Sequence, residues 1–177
     1  MAKPLTAEQA MFLLHEVSLP ALKIEHRMTR AVLEAVPADK ADYRPDSFAK
    51  SGIELVRHIA SAENRFLETT INGEFSIAAA TIPENAKTPR EIAAWYAEQF
   101  GKNHEALTKL KAEQLLKMVD FRGMFQWPAV AYLQLALNHS IHHRGQLSTY
   151  LRPMGSKVPA IYGESYDSAQ AKKAAQA

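Results

Sequence analysis

The sequence predicts an all-α protein, a bundle of four long helices, and two observations carry that prediction. Helix-start signals of one kind recur along the chain, and the apolar residues that follow them return with the 3.6-residue period that lines one side of a helix. Each start has a hydroxyl at the N-cap and a Glu or Gln three residues on: Thr6 with Gln9, Ser51 with Glu54, and Thr88 with Glu91. Pro89 adds to the third, because a first-turn proline gives up an N–H that has no partner anyway. A fourth helix is expected to open near Trp127 and Pro128 and to stop around Arg152, since Pro153 and Gly155 cannot continue it.

The segments between these helices read as loops: residues 36–50 hold Pro37 and Pro45, and residues 72–87 hold Gly73 and Pro83. Pro20 falls inside the first helical pattern and predicts either a kink or a short lead-in helix before residues 21–36. Residues 116–125 alternate like a short hairpin but are too few to build a sheet. From Ser156 a docked loop is expected, then a frayed tail over residues 166–177, which leaves residues 1–165 as a single domain.

A chain of 177 residues, 47% hydrophobic and 23% charged, fits one ordinary globular domain. Its net charge of +2, from 21 basic and 19 acidic residues, is too small and too dispersed to predict a nucleic-acid or lipid-surface partner. The first residues lack the charged-then-apolar layout of a signal peptide, and no stretch approaches the roughly 18 apolar residues of a membrane span. A cytoplasmic location is the expectation. The absence of cysteine excludes disulfides, thiolate metal ligands and a thiol nucleophile from the chain, so any thiol chemistry needs an external thiol.

Among the seven histidines, three share inward stripes. Leu55, His58, Ala62 and Phe66 fall on one face of the second helix, with Ile59 beside it, and Tyr132, Ala136, His139, His143, Leu147 and Tyr150 on one face of the fourth. The His139–His143 spacing places two imidazoles one turn apart, within reach of one metal ion. Helical pairs of this kind are more often ordinary core or surface histidines. His142 lies on the same arc, and spacing alone does not decide whether His142 or His143 pairs with His139. His15, His26 and His104 have no histidine at helical spacing and read as structural or solvent-facing. Glu63 points away from His58 on a regular helix and reads as a surface or interhelical pairing group.

The run NHSIHHRGQLSTYLRPMG from Asn138 to Gly155, with Leu55, His58, Ile59 and Glu63 upstream, resembles the motifs of the DinB-like (DinB/YfiT-like) family of bacterial metalloenzymes. The resemblance extends from the first helix to about Tyr162. It implies a four-helix bundle with a long crossover connection, often assembled as a homodimer. It also implies that His58, His139 and His143 are the ligands of a divalent metal ion, with His142 outside the set. Zinc and nickel are the foremost candidates for that ion, iron and manganese the others.

Gly145, inside the fourth helix, costs about 1 kcal/mol relative to alanine and predicts a close helix contact beside the site. Gln146, one turn beyond, is placed to orient a ligand or a bound water. Trp127, Tyr132 and Tyr162 read as core packing.

Three imidazoles without a carboxylate or thiolate leave a coordination position open, as in catalytic rather than structural zinc sites. A divalent ion there activates either a water or a thiol. Relatives of similar sequence include transferases and isomerases that use a low-molecular-weight bacterial thiol, and that is the leading functional expectation. The alternatives are a metal-dependent hydrolase and a non-catalytic, stress-associated metal-binding or sensing protein. No catalytic residue and no substrate are assigned from sequence.

Overall fold

A computed structural model describes residues 4–176 of the chain. Thr6 opens the first helix: its hydroxyl accepts from the Gln9 N–H (3.2 Å) while the Gln9 side chain accepts from the Thr6 N–H (3.0 Å). Helix α1 (Ala7–Phe12) passes through a π-helical stretch, Leu13–Ser18, into α2 (Leu19–Glu34). This stretch is what Pro20 produces in place of a kink. Proline has no N–H to return to the carbonyl four residues back, and a wide turn just upstream, with the Leu19 N–H reaching Leu14 O, absorbs the mismatch without breaking the helix.

Ser51 and Thr88 close capping boxes with Glu54 and Glu91, opening α3 (Gly52–Asn72) and α4 (Pro89–Leu107) as expected. Gly73 ends α3 in the left-handed region at φ 65°, a conformation that a side chain would resist.

After a short α5 (Ala112–Leu116), strands β1 (Met118–Phe121) and β2 (Phe125–Pro128) form an antiparallel hairpin. The hairpin corrects the expected start of the fourth long helix. Trp127 and Pro128 pair with Val119 and Met118, so α6 begins at Ala131 and runs to Leu151. In the segment expected as a tail, α7 spans Tyr166–Ala175 behind a Ser165 N-cap. Its alanines and lysines favour helix even though none of its residues is buried. Residues 1–3 and 177, which the expected domain and tail also spanned, lie outside the described residues.

Helices α2, α4, α3 and α6 form the bundle in that cyclic order, each packing on the next and α6 closing on α2. Consecutive α2 and α3 therefore sit on a diagonal, as do α4 and α6. The long connection 35–51 crosses one end of the bundle, and α5 with the hairpin bridges the other. Among the described residues no helix is long and apolar enough to cross a membrane.

The apolar core divides into two clusters. One gathers Leu14, Leu22, Phe66, Leu107 and Tyr132 near the hairpin; the other gathers Leu33, Leu55, Ile92, Leu147 and Leu151 at the opposite end. Between them lies a buried polar layer containing His26 and Thr29 of α2, Glu63 and Asn64 of α3, Asn103 of α4, and Ser140 and Arg144 of α6. The three histidines of the inward stripes stand at this level, on the α3–α6 side.

Candidate metal centre

The polar layer is held by specific bonds. Arg144, 2% exposed, pairs with Glu25 (2.7 Å), donates to Thr29 (3.3 Å) and to the Tyr162 hydroxyl (2.6 Å), and so ties the 156–165 loop to α2 and α6. Glu63 accepts from the buried Tyr96 hydroxyl at 2.7 Å and lies 3.6 Å from His26 Nδ1. Burial and the Glu63 charge push the Tyr96 hydroxyl pKa well up. Of the two roles read for Glu63, the structure selects the interhelical one. His26 is likewise structural, stacked on Phe100 with ring centroids 3.8 Å apart.

Antiparallel packing of α3 against α6 brings His58 opposite His139 and His143. Ring centroids are 4.8 Å (His58–His139), 4.5 Å (His58–His143) and 4.5 Å (His139–His143), and one nitrogen from each ring lies within 4.8 Å of the others. The Nε2 atoms of His58 and His143 are 3.1 Å apart. Two nitrogens each roughly 2.0–2.1 Å from a tetrahedral ion stand about 3.3 Å from one another, so this pair is close to a ligating separation. His142 is exposed and outside the group, which resolves the choice that spacing left open.

Gln146 touches the cluster directly. Its Oε1 lies 3.1 Å from His143 Nδ1, and its amide nitrogen donates to the Tyr150 hydroxyl at 3.4 Å. An amide oxygen only accepts, so Nδ1 carries the hydrogen and Nε2 turns its lone pair toward His58. His139 Nδ1 is buried with no hydrogen-bond partner among the described residues. Such an orphaned nitrogen is costly, and it marks His139 as a ring with an unmet hydrogen-bonding group beside the cluster. The chemistry of the donor set therefore fits a divalent ion.

Burial is the main cause that lowers all three histidine pKa values, His58 to about 4 and His139 to about 3. Each imidazole also repels protonation of the next. The cluster is consequently neutral at physiological pH and has lone pairs to offer. The permanent outside charges that act on it are cationic: Lys50 on His58 and His143, and Arg65 on His58 and His139. Lys50 and Arg65 are absent from the sequence reading, although Arg65 follows His58 by two helical turns and so shares its face.

Phe66 meets His139 edge-on at 5.7 Å, with Phe75 and Phe121 packed behind it. Gly145 departs from expectation. It is exposed, and a Cβ there would meet nothing within 4 Å, so no close helix contact repays it within the chain.

Comparison with known proteins finds relatives of the chain. The model of the DinB family matches residues 11–175. The uncharacterized protein YjoA of Bacillus subtilis (strain 168) is 32% identical over 142 residues, 78% of this chain and 90% of that one. The crystal structure of that DinB-like protein superposes with a TM-score of 0.69 at 27% identity, covering 82% of this chain and 98% of the other. A DinB-like protein from Bacillus cereus ATCC 10987 shares the fold, with a TM-score of 0.69 at 24% identity, over 84% of this chain and 97% of its own.

Proposed function

The chain belongs to the DinB family, and from that premise we propose that it is a metal-dependent enzyme whose ligands are His58, His139 and His143. The proposed reaction is a transfer or isomerisation that uses an external low-molecular-weight thiol. The observation that carries this reading is the cluster itself: three neutral, inward-facing imidazoles from two helices, without a carboxylate among them. When bound, a divalent ion, zinc or nickel foremost, lowers the pKa of a thiol at the open position and so supplies the nucleophile. Gln146 orients the His143 ring, and Phe66 packs edge-on against His139. The chain contains no cysteine to compete with the external thiol.

Hydrolysis by a bound water is the weaker reading, because the group of side chains brought together here contains no carboxylate to act as general base. A non-catalytic sensing role has no specific observation in its favour. A cytoplasmic homodimer is part of the proposal and rests on the family.

The test is turnover of an electrophilic acceptor by metal-reconstituted protein, with and without small thiols. Thiol-dependent product, lost on His139→Ala, is the expected result. Turnover of esters or lactones without thiol would favour the hydrolase instead.

A further inference from the structure

We propose that the ligand of this site is an organic anion, in which one group reaches the three-histidine cluster while a separate carboxylate is held by Arg65. The inference rests on the metal reading above and deepens it. Arg65 is half-buried, and its Nε is engaged with the Ala79 carbonyl at 3.2 Å, which leaves the other two guanidinium nitrogens without a protein partner among the described residues. Glu68, one turn on, acts on the Arg65 charge from a distance, but its carboxylate is turned to the Ala80 N–H at 3.1 Å and forms no direct ion pair with Arg65. A half-buried guanidinium with two free donor nitrogens and no direct ion pair has hydrogen-bonding capacity to spare, and its planar fork fits a carboxylate.

The surroundings point the same way. Lys50 adds a second cation without an ion-pair partner among the described residues, and no carboxylate acts on the cluster. A divalent ion would add two more positive charges to a cluster that contains no carboxylate of its own, and an anionic ligand would balance them.

Arg65 lies two turns from His58, roughly 10 Å along the helix axis, and its side chain leans back toward the helix N-terminus. The group it holds is therefore several ångströms from the one at the imidazoles. The loop carrying Ala79 and Ala80 is fastened to α3 at two adjacent points, by Arg65 and by Glu68. Ala80 there adopts φ 52°, an uncommon backbone conformation for a residue with a side chain. Arg65 is thus fixed at one nitrogen and open at the others.

The experiment uses full-length protein loaded with cobalt(II), whose thiolate charge-transfer absorption reports binding without turnover. The probes are ω-mercapto carboxylates with two to five methylenes, each titrated beside its neutral amide. At the matching length the carboxylate is expected to bind about tenfold tighter than the amide, the scale of one charged hydrogen-bonded pair. Arg65→Gln should abolish that preference with cobalt content unchanged, and Arg65→Lys should keep part of it. Equal affinity of acid and amide at every length in the wild type, or a preference that survives Arg65→Gln, overturns the proposal. Should Arg65→Gln fail to fold, the wild-type comparison still decides. A protein that takes up no cobalt overturns the metal reading itself, a different failure from a loaded protein that is indifferent to charge.

Discussion

One amide decides which nitrogen of His143 faces His58. Gln146 holds the Nδ1 hydrogen, and the lone pair on Nε2 is left at the cluster. Gln146→Ala is therefore expected to weaken zinc binding about 10–100-fold in competition with a chromophoric chelator, while Gln146→Glu retains it. The depressed histidine pKa values have a stability consequence of fixed sign. Below the ordinary value of 6.5 the unfolded chain takes up protons that the folded cluster refuses, so lowering pH favours unfolding. The metal-free protein should keep a constant Tm above about pH 7 and lose stability as pH falls from 6.5 toward 4; a His58, His139, His143 triple alanine variant should show a flatter profile. At this scale the inward direction of each histidine was legible from the stripes, because helical period alone sets it. Arg65 and the buried state of Glu63 and Arg144 were not, since a charged residue on a helix wheel normally reads as solvent-facing until its partner on another helix is known.

The helix starts were legible because a capping box is a local device: Thr6, Ser51 and Thr88 bond only to residues three positions away. Ser51→Ala should cost about 1 kcal/mol by removing the cap two turns before His58, read by denaturant unfolding. Where pairing is not local, the reading slipped. Trp127 and Pro128 look like a helix start until Met118 and Val119 are seen across from them. Pro20 announced a disturbance in the first helix but not its form, because a missing N–H can be absorbed by a kink, a break or a wide turn alike. Gly145 is the open case. In a single chain nothing crowds the position, and Gly145→Ala should stabilise by about 1 kcal/mol and raise Tm by roughly 2–4 °C. If α6 instead packs closely on a second copy there, as the proposed homodimer allows, the same variant should lower Tm and shift the protein toward monomer in sedimentation.

Across the whole molecule, two apolar clusters are separated by the polar layer, and the histidine cluster sits at its edge. Within that layer Arg144, Glu63 and Asn64 are tied across helices by specific bonds, so removing one partner leaves the other buried and short of a bond. Tyr96→Phe leaves Glu63 short of its closest donor and should cost about 1–3 kcal/mol in unfolding free energy, with metal uptake retained by the surviving fold. A bound ion should act in the opposite direction, adding about 2.7 kcal/mol of stability when its free concentration is 100 times its dissociation constant. The measurement that tests the account most directly is elemental analysis of the purified protein beside the His58, His139, His143 triple alanine variant, each stripped and reloaded with zinc, nickel, manganese or iron. The account predicts close to one ion per chain in the wild type and none retained by the variant; equal metal in both, or none in either, would contradict it and return the three histidines to a purely structural role.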